Sequence, residues 1–235
     1  MHPLDYWLEL ARGPLFAAAF LVMILGLSRH VVLQLSSLMF RKWSSLRNVR
    51  WEKILQDTLT WAFPVRHLIP GTVIFSIVSF LFHIGVIIVP LFLADHIALW
   101  EGLLVVRLPV IGREFADFLT LLTIGCVCCL FGLRLFVKRL KMMSRASDYI
   151  LLILVGLPFI TGFMASHPKA DPFPWQLTML FHFLSADLLL MIIPFTKLAH
   201  IVLFPFDRIS VVHWQFRPGA GEKVIEALYG KEVKI

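Results

Sequence analysis

Apolar residues gather in five stretches of the chain, about 14–35, 70–94, 115–137, 149–165 and 177–204, with polar segments between them. A helix needs about 20 apolar residues to cross the hydrocarbon core of a bilayer. Each stretch is therefore read as a transmembrane helix, the fifth long enough to tilt. The connections are short except for 36–69 and 95–114. The first of these carries Trp43, Trp51 and Trp61 among Arg41, Lys42, Arg47, Arg50, Lys53 and Arg66. Aromatic and basic residues interleaved in this way predict a helix lying on the membrane surface. The expected fold is an all-α integral membrane protein, a bundle of five transmembrane helices within residues 1–204. A polar tail, 205–235, comes next and ends in a helix-like stretch at 222–229.

Composition agrees with a bilayer as solvent. Of 235 residues, 59% are hydrophobic and 16% charged, too little polar surface to coat a water-facing globule. No basic region precedes the apolar run at 16–27, which is expected to be a retained helix rather than a removed signal. The net charge of +7 is a property of the loops on one side. Segments 36–69, 138–148 and 205–235 hold fifteen Lys and Arg, whereas 1–13, 95–114 and 167–175 hold four. Basic residues accumulate on the cytoplasmic side, so the N-terminus is expected outside and the C-terminus in the cytoplasm. No stacking motif or basic arm suggests nucleic acid. Cys126, Cys128 and Cys129 share one apolar run without a CxxC pair and are read as small buried hydrophobes. No P-loop, GxGxxG turn or HExxH helix is present.

Ionisable residues inside a membrane helix are costly and are functional hypotheses by default. His83 and His182 lie mid-span, and His200 lies near the inner end of the fifth stretch. His182 and His200 are 18 residues apart, five turns of a continuous helix, and so would leave one face about 27 Å apart along it. Imidazole pairs suit the two axial positions of a haem iron. Antiparallel spans two and five would pair His83 with His200 near the inner surface and His96 with His182 near the outer one. His96 is the weak member, because an ideal helix turns its ring well over 90° from that of His83. Pro90, between them, interrupts the hydrogen-bond ladder and can redirect the chain beyond it. His30 and His67 are read as interfacial polar residues, His2 and His213 as solvated, and His167 as the reserve if His96 fails.

The stretch Met191-Ile192-Ile193-Pro194-Phe195-Thr196-Lys197-Leu198-Ala199-His200 resembles the last helix of the membrane cytochrome b (gamma) subunit of respiratory nitrate reductase. That helix carries a Pro-Phe-Ser/Thr-Arg/Lys-Leu-x-His motif and a second histidine 18 residues upstream, matched by His182. Phe82-His83-Ile84-Gly85 resembles the start of the family's second helix. The resemblance covers about residues 14–204. It implies a dihaem cytochrome b subunit of a prokaryotic cytoplasmic membrane, passing electrons between quinol, such as menaquinol, and a cytoplasmic iron–sulfur partner. The position of His96 and the Trp-rich inner segment bring the chain nearer to relatives in sulfate-reducer membrane complexes with heterodisulfide-reductase-like partners.

By placement, Asp95, Glu101, Arg107 and Arg113 are candidates for a quinone site. Arg66, Arg134 and Lys197 are placed near the inner haem propionates, and Arg107 or Arg113 near the outer ones. Asp187, in the outer half of span five, is read as a hydrogen-bond partner of a haem ligand or a neighbouring helix. Two other classes fit the same spans: a haem-free anchor or assembly subunit, and a small transporter or proton channel. The absence of repeat symmetry argues against the transporter.

Overall fold

A computed structural model of the chain describes residues 3–40, 51–62, 73–103 and 108–212. Among these residues there is no strand. Helix α1 (Pro3–Leu10) runs through a π-helical turn (Ala11–Leu15) into α2 (Phe16–Phe40). Pro14 lies in that turn. It lacks an N–H and its ring crowds the carbonyl four residues back, and a widened turn relieves both conflicts without ending the helix. Beyond it come α3 (Trp51–Ala62), α4 (Val73–Phe92), α5 (Ala94–Leu103), α6 (Arg113–Phe136), α7 (Lys138–Met143), α8 (Ala146–Ser166), α9 (Trp175–Ile192) and α10 (His200–Val212).

Among the described residues, five stretches are long and apolar enough to cross a membrane: Leu4–Ser37, Val73–Phe92, Arg113–Phe136, Ala146–Ser166 and Trp175–Phe195. The chain is a multi-pass, all-α membrane protein. Leu21, Leu25, Ile74, Ile87, Leu121 and Ile153 are exposed along these helices. Such apolar surface is unfavourable in water and suited to lipid, where the helix satisfies its own backbone hydrogen bonds.

The described residues fall into two compact units. One holds residues up to 22 and from 73 to 191, the other residues 23–62 and 192–212. In the first, α6 packs against both α4 and α8. Val127, Leu130 and Leu152 form its core, with Phe75, Val78, Phe82 and Phe131 packed around them. Gly85 allows the closest approach: a Cβ there would collide with the Thr123 side chain of α6. Thr123 is itself fully buried and spends its hydroxyl on the Leu119 carbonyl, 2.6 Å away. Small residues at such crossings let membrane helices pack backbone to backbone. At the far end of α6, Arg134 donates to Ser144 Oγ (3.0 Å) and lies over the Phe75 ring (5.3 Å). Its carbonyl accepts from the Tyr149 hydroxyl (2.9 Å), which ties the α6–α8 corner together.

In the second unit, α3 packs against α10, and α2 packs against a break in the fifth span. A Cβ at Gly26 would lie 2.5 Å from the Pro194 Cβ. One turn later, His30 Nε2–H donates to the Pro194 carbonyl at 2.7 Å.

Four expectations change. The fifth span is not one helix to residue 204: α9 ends at Ile192, and two 3₁₀ turns, Ile193–Phe195 and Lys197–Ala199, precede α10. Pro194 cannot donate to the ladder and Thr196 is extended (φ −126°, ψ −179°), so the helix stops and restarts. The five-turn relation between His182 and His200 does not hold across that break. The expected boundary at 204/205 falls inside α10, and the expected loop at 95–114 contains the helix α5. Of the cysteines only Cys126 is buried; Cys128 and Cys129 are exposed on an apolar helix. The tail stretch at 222–229 lies outside the described residues.

Candidate functional site

Pro90 lies near the end of α4, and a bend at Leu93 separates α4 from α5, which restarts at Ala94. The Val89 carbonyl accepts the Leu93 N–H at 3.2 Å and faces His96 Nδ1 at 3.3 Å. The bend brings His96 of α5 to His182 of α9. Their ring centres are 6.0 Å apart and their planes are within 6° of parallel. An imidazole nitrogen binds a metal at about 2 Å and lies about 1 Å from its ring centre, so two rings on opposite sides of one metal have centres about 6 Å apart. The observed spacing and parallel planes fit that arrangement, and His96 rather than the reserve His167 faces His182.

The tautomers also fit. A carbonyl oxygen only accepts, so an imidazole nitrogen bonded to one carries the proton, and the other nitrogen keeps the lone pair. His182 Nδ1 lies 2.9 Å from the Pro158 carbonyl, with Thr161 Oγ1 at 3.4 Å. Gly162 provides the room: a Cβ there would lie 2.9 Å from His182 Cε1 and 3.1 Å from Nδ1. His96 Nδ1 faces the Val89 carbonyl at longer range, with the Pro90 backbone as a further partner of the ring. Burial pushes the His96 imidazole below its ordinary range, opposed by its backbone partner and by Asp95, and this favours the neutral, ligating form. Orienting a ligand's second nitrogen on a carbonyl is how proteins fix metal-binding histidines.

His83 and His200 share this tautomer. His83 Nδ1 lies 2.6 Å from the Ser79 carbonyl and His200 Nδ1 2.7 Å from the Lys197 carbonyl. His83 belongs to the first unit and His200 to the second. His30 differs, because its Nε2 is committed to Pro194. Among the described residues, no cluster of three or more His, Cys, Asp or Glu is shaped for a bare metal ion. A haem asks for only two axial side chains.

The polar candidates around this pair are dispersed. Asp95 and Glu101 are exposed on α5, and Arg113 donates to the Ser166 carbonyl at 2.8 Å. Arg107, Arg66 and His67 lie outside the described residues. Arg134 is held by Ser144 and Phe75, and Lys197 is exposed. Asp187 is 2% exposed, and neither carboxylate oxygen has a hydrogen-bond partner among the described residues, which removes the expected bond to a haem ligand or a neighbouring helix. An apolar groove of about 390 Å³ is lined by Leu4, Trp7, Leu10 and Leu15 and by Leu180 and Leu184, which lie two residues before and after His182 and so on the other face of α9. Gly162, Pro158 and Thr161 are not legible as site residues in the sequence. They lie on another helix from His182, and no local motif marks them.

The chain is 32% identical over 206 residues to a protein of Nitratidesulfovibrio vulgaris (strain Hildenborough) described only as "Protein", a match covering 83% of this chain and 88% of the other. The chain belongs to the family of that protein. The similarity is not confined to one span, because it takes in most of both chains. No model of a known protein family and no solved structure matches the chain.

Proposed function

We propose that the chain is the dihaem cytochrome b subunit of a respiratory membrane complex, transferring electrons between the membrane quinone pool and an iron–sulfur partner subunit. The observation that carries this reading is the facing pair His96 and His182, with parallel rings at the spacing of two axial ligands and Nδ1 of each turned to a backbone carbonyl. A haem held by two histidines supplies one-electron transfer with no open position for oxygen. The chain's own contribution is to orient both half-buried rings on backbone carbonyls. The second haem of this reading rests on the sequence resemblance of the last span alone. The apolar groove between α1 and α9 suits an isoprenoid tail such as that of a quinone.

With the orientation inferred from the basic loops, this pair lies toward the outer surface, the C-terminus in the cytoplasm and the chain in a prokaryotic cytoplasmic membrane. On this reading the partner docks on the basic face. A heterodisulfide-reductase-like iron–sulfur subunit fits the position of His96 and the Trp-rich inner segment. The test is the spectrum of His96→Ala and His182→Ala beside the wild type. Both variants should lose the same haem and keep the other. Loss of different haems, or of none, contradicts the pairing.

A further inference from the structure

Where α6 begins and α8 ends, three polar side chains meet that the histidine pair does not use. His167, just past α8, has Nδ1 2.9 Å from the Phe163 carbonyl and 3.2 Å from Ser166 Oγ. Its Nε2 lies 3.4 Å from Asp117 Oδ2, one turn into α6. The His167 ring stacks on Phe163, with centres 4.2 Å apart, which fixes its orientation. Arg113 binds the Ser166 carbonyl and holds the two helix ends together. The side chains of His167 and Asp117 are 35% and 29% exposed, so the pair is within reach of water.

The partners set the protonation pattern. Ser166 Oγ sends its proton to the Gly162 and Phe163 carbonyls, both at 3.0 Å. It therefore faces His167 Nδ1 as an acceptor, as does the Phe163 carbonyl, and Nδ1 carries a proton in both states of the ring. Nε2 and Asp117 Oδ2 are then two lone-pair sites with room for one proton between them. Without that proton two acceptors face each other; with it they bond. Ser166 also reaches back one turn, about 6 Å, to Gly162, the residue against which the His182 ring lies.

We propose that Asp117 and His167 form a proton station serving the histidine-pair site. This rests on the function proposed above. Oxidation of a quinol to a quinone breaks two O–H bonds and releases two electrons and two protons. The electrons would be taken singly by the one-electron carrier that His96 and His182 would hold. Each proton is taken by His167 Nε2, shared with Asp117 Oδ2 and passed to water at the exposed edge before the next arrives. In quinone reduction the same station delivers protons inward. Arg113 and Glu114 on α6 and Lys169 and Asp171 beyond α8 are the other charged side chains nearest to the pair in sequence. Arg113 is the one committed to a backbone carbonyl across the joint.

The experiment uses the full haem-loaded chain in lipid nanodiscs, with menadiol as electron donor. Wild type, Asp117→Asn, His167→Gln and Asp117→Glu are compared in haem content, rate of haem reduction across pH, and infrared titration of the carboxyl and imidazole bands. Asp117→Asn and His167→Gln should keep the wild-type haem spectrum and slow reduction at least about tenfold, with an altered pH profile. Asp117→Glu should restore most of the rate. In the infrared, one carboxyl and one imidazole should titrate together in wild type and lose that coupling in Asp117→Asn. Unchanged rates and pH profiles in variants that keep haem overturn the station and leave the functional reading standing. A natively folded wild type that takes up no haem overturns the functional reading, and the station's role with it.

Discussion

His96 and His182 lie on different helices, 86 residues apart in the chain, yet their rings are parallel within 6° and 6.0 Å apart centre to centre. Parallel axial imidazoles split the iron d-orbitals unequally. If this pair holds the proposed haem, that haem should therefore give an ordinary rhombic low-spin EPR signal rather than the highly anisotropic signal of perpendicular ligands. Frozen-solution EPR of the oxidised chain checks this, and His96→Ala should remove that signal. A highly anisotropic signal that disappears in His96→Ala contradicts the geometry.

Gly162 gives His182 its place. Gly162→Ala puts a methyl group 2.9 Å from the ring, so the imidazole must shift off its Pro158 bond or the helices must part. The expected cost is about 1–3 kcal/mol, seen as lowered haem occupancy and a shifted midpoint potential. Gly132→Ala is the control, because nothing lies within 4 Å of a Cβ there. Equal behaviour of the two variants in redox titration contradicts the tight fit.

His30 clasps the break in the fifth span. His30→Leu leaves the Pro194 carbonyl without its side-chain donor, at an expected cost of about 1–3 kcal/mol in thermal stability. The haem assigned to His96 and His182 should remain, because His30 is not one of its ligands. Loss of that haem at unchanged stability contradicts this structural role.

Asp187 has two buried oxygens and no partner for either among the described residues. Asp187→Leu removes an unsatisfied polar group from an apolar helix and should raise stability by about 1–3 kcal/mol. Thermal unfolding in detergent measures it. Lowered stability, or normal stability with haem lost, assigns the carboxyl a partner or a role.

The five spans are legible in the sequence because a membrane imposes its thickness on every crossing helix, and composition alone carries that signal. The exit of His96 from the line of α4 is legible in part, since Pro90 announces a change of direction without giving it. The break at Ile193–Ala199 is not legible, although Pro194 stands in view. An apolar run with proline can kink and continue, and only the extended Thr196 shows that this one stops. The helix α5 is hidden because its polar residues, Asp95, His96 and Glu101, read as a loop between spans. The approach of Asp117 to His167 and of Gly162 to His182 depends on how α6, α8 and α9 rotate against one another, which no local pattern encodes.

Whether histidines of this chain hold haem iron is decided most directly by pyridine haemochrome quantification of the purified wild type, alongside its dithionite-reduced minus oxidised spectrum. Two haems b per chain are expected. A natively folded chain, produced with haem supplied, that shows no haem band contradicts the dihaem reading and leaves a haem-free membrane anchor as the reading of the same five helices.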